Sequence, residues 1–190
     1  MAEPGPKTEV ALLGGSFNPP HVGHLLAACY VRATQGADAV WLMPTFQHPF
    51  GKATVAFEHR VGMCEALAGD HAAWLKVSQV EKDVGGEGRT VDTLSHLVAR
   101  HPDTRFSLVI GSDILKDLPL WKDFARIREL ARVVVLYRAG YPAAEAVGPP
   151  LALVSSTEIR GQLDAGVAPE ALVPRAVLDY ARRHRLYRLG

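Results

Sequence analysis

Short apolar runs alternate along this chain with stretches whose apolar residues recur every third or fourth position. Val10 to Leu13, Ala39 to Met43, Leu75 to Val80, Phe106 to Ile110 and Val133 to Tyr137 are runs of strand length, and Leu151 to Val154 is a candidate for a last one. Helical spacing fills the intervals. Leu25 to Gln35 is stopped near Gly36, and Phe57 to Leu67 carries Val61, Cys64 and Leu67 on one side. Val91 to Arg100 turns Leu94, Leu97 and Val98 inward, and Pro174 to His184 does so with Val177, Leu178 and Ala181. Asp83 to Arg89 reads as a glycine-rich loop. Strands alternating with helices predict an α/β fold built on a parallel, doubly wound, Rossmann-like sheet. Ligands of such sheets sit beyond the carboxyl ends of the strands.

A chain of 190 residues suits a single domain, residues 1–190, with no repeat and no dividing linker. Met1 to Glu9 has no apolar core and reads as a disordered leader, not a signal peptide. Lys+Arg 21 against Asp+Glu 20 leaves a net charge of +1, so no global basic field argues for nucleic acid. No uncharged apolar run approaches membrane-spanning length. The two cysteines, Cys29 and Cys64, have no disulfide or zinc-finger spacing and fit a reducing cytoplasm.

The chemistry concentrates where the first strand ends, at Gly14-Gly15-Ser16-Phe17-Asn18-Pro19-Pro20-His21-Val22-Gly23-His24. Glycines let backbone pass close to an anion, and the helix start beyond presents free N–H groups and a favourable dipole. His-x-x-His spacing places His21 and His24 on nearly one face of a first helical turn. Together these features suit a polyphosphate that gains charge during reaction. The stretch is neither Gly-x-Gly-x-x-Gly nor a P-loop, and it lacks the Glu of a zinc-protease helix. The plainer alternative is a strand–turn–helix whose histidines cap the helix.

Other segments admit two readings each. Thr45 to Thr54 follows a strand end and holds His48 and Lys52; Lys52 is either a phosphate ligand on a closing loop or a solvated lysine. Arg60 reads as a surface arginine on a packed helix. Thr90 is an N-cap with Thr93 at the capping-box offset. Gly111-Ser112-Asp113 ends a strand, and Asp113 can accept ribose hydroxyls or cap a helix. Trp121 is core, or stacks on a flat heteroaromatic ring. Trp41 and Trp74 read as core. Ser155-Ser156-Thr157-Glu158-Ile159-Arg160 opens a helix: its hydroxyls and N–H groups, with the Arg160 fork, can hold phosphate oxygens, and Ser155 can also cap.

The glycine–histidine stretch resembles the signature of the His-x-Gly-His nucleotidyltransferase superfamily, and most closely that of the bacterial nicotinate mononucleotide adenylyltransferases. Their usual Asp is Asn18 here, which keeps a turn-forming side chain and loses a charge. Ser155 to Arg160 is similar to the second signature, Ile-Ser-Ser-Thr-x-x-Arg, with Val154 the one difference. Thr90 to Leu94 resembles a Tyr-Thr-x-Asp-Thr-Leu element, with Arg89 in the aromatic's place, and Gly111 to Asp113 with Trp121 resembles a Gly-x-Asp followed by Trp. His48 to Lys52 is a looser version of Pro-Pro-His-Lys. The likeness runs from Leu12 to Tyr187 and implies a nucleotidyltransferase fold.

It further implies transfer of AMP from ATP, with Mg²⁺, to nicotinate mononucleotide by in-line attack, giving deamido-NAD and pyrophosphate in NAD biosynthesis. The roles implied are catalysis by His21, His24 and Arg160, and ATP binding by Gly14, Gly15, Ser16, Phe17, Gly111, Asp113, Ser155, Ser156 and Thr157 as well. Asn18, Lys52, Thr90 and Trp121 would hold the mononucleotide, with Trp121 on its pyridine ring and Thr90 at the nicotinate end. A homo-oligomer is compatible with the sequence. Nicotinamide mononucleotide or phosphopantetheine are alternative acceptors, and a nucleotide-sensing module without turnover is the alternative of a different class.

Overall fold

Alternation at period two divides each central strand between two cores. In β1 (Thr8–Gly15), Ala11 and Leu13 enter one core and Val10 and Leu12 the other. Val109 separates from Leu108 and Ile110 in β4 (Thr104–Gly111), and Val134 and Leu136 from Val135 in β5 (Arg132–Arg138), in the same way. Strands buried on both faces read as continuous apolar runs, which is why they stand out in the sequence. The remaining strands are β2 (Ala39–Pro44), β3 (Leu75–Val77) and β6 (Val147–Leu151). The computed structural model describes residues 7–47 and 55–187; the readings of His48 and Lys52 lie outside them.

The six strands among the described residues are all parallel, in the order β3-β2-β1-β4-β5-β6. The helices are α1 (Val22–Thr34), α2 (Phe57–Ala68), α3 (Val80–Val84), α4 (Thr90–Arg100), α5 (Phe124–Leu130), α6 (Ser156–Asp164) and α7 (Arg175–Arg183). α1, α2, α6 and α7 cover the first core through Val31, Met63, Ile159 and Val177. α3, α4 and α5 cover the second through Val80, Leu94 and Ile127. The chain order reverses between β1 and β4, so the crevice of this doubly wound sheet opens at their carboxyl ends. No helix among the described residues is long and apolar enough to cross a membrane.

Local signals displaced several expected boundaries. Thr8 and Glu9, expected in the leader, are the first residues of β1 and pair with Thr104 and Arg105. The third strand stops at Val77 rather than Val80, because the chain turns there into α3, whose N-cap is Gln79; Ser78 Oγ accepts the Val80 N–H at 3.4 Å in that turn. Part of the expected Asp83 to Arg89 loop therefore belongs to α3. The last strand is Val147–Leu151, not Leu151 to Val154; it lies at the sheet edge, where Pro149 and Pro150 leave no neighbouring strand unpaired. A 3₁₀ helix, Ser112–Leu120, and α5 had no apolar period long enough to be read. Trp41 and Trp74 are partly buried, each against a different core.

Gly148 has φ 85, and a Cβ added there would press on the Tyr30 ring of α1. Gly148→Ala should cost about 1–3 kcal/mol in chemical denaturation, from the left-handed backbone and the displaced ring together. In a Tyr30→Ala background the same change should cost less but not vanish. Equal costs in both backgrounds would remove the ring contact from the account.

Candidate active site

The turn after β1 carries the histidines into the crevice between β1 and β4. His21 is the N-cap of α1, in extended backbone at φ −145 and ψ 173, and His24 stands three residues on. The pair therefore straddles the helix start instead of lying inside it. The His21 backbone N–H donates to His24 Nδ1 at 3.1 Å. With that lone pair engaged, neutral His24 carries its proton on Nε2, as a donor. The two rings stack with centroids 3.7 Å apart, and Phe17 flanks His24 at 4.7 Å.

Both imidazoles are held neutral. Burial of His21, 3% exposed, and secondarily the nearby Arg138 charge together lower its pKa to about 4. His24 lies well below its ordinary value, first through desolvation, then through His21 and Arg138. Among the described residues the buried His21 Nδ1 has no hydrogen-bond partner.

Donors from distant parts of the chain hold the carbonyls of the turn. Arg60 Nη1 donates to the Ser16 carbonyl at 2.9 Å, Arg160 Nη1 to that of Asn18 at 2.7 Å, and Ser156 Oγ to that of Pro19 at 2.9 Å. The Val22 N–H reaches the Leu172 carbonyl at 2.9 Å. Tyr187 Oη donates to Asn18 Oδ1 at 2.7 Å, and burial pushes the Tyr187 pKa up, so the hydroxyl stays a donor. Arg138, at the end of β5, donates from Nη2 to the Val154 carbonyl at 2.9 Å, and its Nε lies 3.8 Å from Asp113 Oδ2.

The structure thus brings Ser16, Phe17, Asn18, His21 and His24 together with Ser156 and Arg160, and brings Asp113 to Arg138 beside the histidines. Gly14 and Gly15 end β1, and Gly111 ends β4. Ser155 caps α6 by accepting the Thr157 N–H at 3.2 Å, and Thr157 Oγ1 accepts from Arg160 Nη2 at 3.2 Å. Thr90 is not a cap: Arg89 occupies the N-cap position, without a side-chain cap bond, and Thr90 is the first residue of α4. Trp121 is partly buried against the second core and meets Phe124 edge-on at 6.3 Å. No hydrogen bond among the described residues joins Thr90 or the Trp121 side chain to the histidine turn.

Two residues escaped the sequence reading. Arg60 is not a surface arginine: it is 3% exposed and bridges the Ser16 and Val55 carbonyls. Arg138 had a usable signal, because it follows the apolar run Val133 to Tyr137 as Asp113 follows Phe106 to Ile110.

A profile of the cytidylyltransferase-like family matches residues 12–162. A Myxococcus xanthus protein named "Probable nicotinate-nucleotide adenylyltransferase" is 65% identical over 184 residues, covering 97% of either chain. One of the same name from Anaeromyxobacter dehalogenans strain 2CP-C is 48% identical over 183 residues, covering 95% of this chain and 97% of its own. The solved Plasmodium falciparum nicotinic acid mononucleotide adenylyltransferase complexed with NaAD superposes with a TM-score of 0.80, covering 96% of this chain and 98% of its own; at 17% identity the likeness is one of fold.

The depressed histidine pKa has a measurable consequence. Unfolded His21 titrates near 6.5 and the folded residue near 4, so its contribution to stability is complete above pH 6.5 and is lost as pH falls toward 4. By pH 4 the loss should reach about 3 kcal/mol. Thermal unfolding against pH should show a steeper decline in the parent chain than in His21→Asn; parallel curves would mean that His21 is not held neutral.

Proposed function

The chain belongs to the cytidylyltransferase-like family and, within it, to the nicotinate-nucleotide adenylyltransferases, and on that premise we propose that it transfers AMP from ATP to nicotinate mononucleotide, releasing pyrophosphate, in NAD biosynthesis. The observation that carries the reading is the neutral, stacked imidazole pair at the mouth of the β1–β4 crevice, with the Arg138 charge acting on both rings and Arg160 holding the Asn18 carbonyl of the same turn. It is a set of donors suited to phosphate oxygens.

In the proposed reaction a phosphate oxygen of the mononucleotide attacks the α-phosphorus of ATP. The new O–P bond forms as the bond from the α-phosphorus to the bridging oxygen breaks, and the electron pair leaves with pyrophosphate. That nucleophile is already anionic near neutral pH, so the reaction needs placement and charge stabilisation rather than a strong base. His24 would donate from Nε2 as charge moves onto the leaving group, and His21 from its own ring N–H. Arg160, already anchored to the turn, would keep its remaining N–H groups for phosphate, and Arg138 would add charge from the β5 side. Asp113 would accept a ribose hydroxyl. Asn18, Thr90 and Trp121 are assigned to the mononucleotide, and Gly14 to Phe17 with Ser155 to Thr157 to ATP.

MgATP is the substrate form in this reading. Among the described residues no three His, Cys, Asp or Glu side chains gather as a metal site, and the crevice is built of nitrogen donors around a single carboxylate, Asp113. Such a donor set holds phosphates and leaves the ion to phosphate oxygens, where it neutralises charge.

Pyrophosphate release from MgATP, with nicotinate mononucleotide, nicotinamide mononucleotide and phosphopantetheine side by side, tests the assignment. Preference for the acid supports it. Preference for either other acceptor changes the substrate, and ATP binding without release from any of them would make the chain a sensing module. His24→Ala should lower kcat at least about a hundredfold, the scale of losing one preorganised donor, while the mononucleotide KM stays within about threefold. Equal losses in both would remove His24 from the charge-stabilising role.

A further inference from the structure

Arg60 is a charged side chain buried at 3% exposure that forms no ion pair among the described residues. Its guanidinium instead spans two backbone carbonyls, Nε to Val55 at 3.0 Å and Nη1 to Ser16 at 2.9 Å, and sits 5.5 Å above the Phe57 ring. Glu81 acts on it electrostatically, yet the Glu81 carboxyl is engaged by the Phe46 N–H at 3.0 Å. Burying a guanidinium in this way is costly unless its geometry is needed, and an apolar side chain would fill the same space more cheaply.

The peptide geometry shows what the contact does. The Ser16–Phe17 peptide is trans, so its C=O and N–H point in opposite directions. Fixing the Ser16 carbonyl on Arg60 therefore turns the Phe17 N–H away from α2. Phe17 has φ 47, a left-handed conformation that a buried phenylalanine adopts only where the surroundings impose it. Among the described residues the Phe17 N–H has no protein acceptor. We propose that Arg60 is a positioning residue for the triphosphate: by holding the Ser16 carbonyl it presents the Phe17 N–H to a phosphate oxygen of ATP. The assignment of ATP to this turn is taken from the proposed function.

Arg60→Lys keeps a charge and loses the two-pronged fork; Arg60→Met loses both. Calorimetric titration of the full chains, checked as folded by circular dichroism, should show MgATP binding weakened about tenfold or more in both variants. Nicotinate mononucleotide binding should stay within about twofold. ATP binding within twofold of the parent in Arg60→Lys, or equal weakening for both substrates, overturns the proposal, because a merely structural arginine would not separate the two ligands. Should neither variant fold, the unaltered chain decides: the Phe17 amide proton should move downfield on titration with MgATP, and an unmoved resonance overturns the proposal. A chain that passes these tests yet releases no pyrophosphate with nicotinate mononucleotide would lose the proposed acceptor and keep this inference.

Discussion

The hydrogen bond from the His21 N–H to His24 Nδ1 sets the chemical state of the whole crevice. It satisfies one of the donors left open where α1 begins, and it fixes which nitrogen of His24 keeps a proton. It also draws the two rings into a stack, which limits the pair to low charge, since two imidazolium rings 3.7 Å apart would repel strongly. Gly23 is part of the same arrangement: a Cβ there would come within 3.0 Å of His21 Nδ1 and push the ring out of the stack.

Around this bond the protein assembles donors. Arg138 and Arg160 arrive from β5 and α6, and the Asp113 carboxylate lies 3.8 Å from Arg138 Nε. Burial first and Arg138 second make the imidazoles harder to protonate, so they are oriented dipoles rather than cations. Dipoles fixed before the ligand arrives need no reorganisation when charge moves along a phosphate chain. His21 Nδ1 belongs to the same arrangement, as a buried polar atom without a partner among the described residues.

Much of this was legible because the signals are local. The glycine turn, the His-x-x-His spacing and the Ser155 cap each fit within a few residues, and the buried strands announce themselves as apolar runs. Arg60 was illegible because nothing near position 60 tells of a partner 44 residues away. α2 buries Arg60, Val61, Gly62, Met63 and Cys64 in succession; its exposed side carries Glu58 and Glu65, seven residues apart, and Arg60 lies on the opposite face. Thr90 misled for the opposite reason: a good capping residue stood one position inside the helix, and Arg89 took the cap by backbone conformation alone. The prolines of β6 disfavour a strand interior and are tolerated at a sheet edge, a position that the local sequence does not reveal.

The turn itself explains why such remote residues converge on it. Pro19 and Pro20 supply no N–H, and Phe17 is held left-handed, so residues 16 to 20 cannot close a regular hydrogen-bond ladder of their own. Their carbonyls need donors from elsewhere, and Arg60, Ser156 and Arg160 supply them. The Asn18 side chain is met by Tyr187, delivered through left-handed backbone at Arg185 and Tyr187 after the last helix has closed. A loop that cannot satisfy its own backbone is therefore ordered only when α2, α6 and the segment beyond α7 are in place. The Phe17 N–H is left over by the same deficit: the Ser16 carbonyl is held by Arg60 and its peptide partner faces the other way, whereas the carbonyls of Asn18 and Pro19 precede prolines and have no N–H partner.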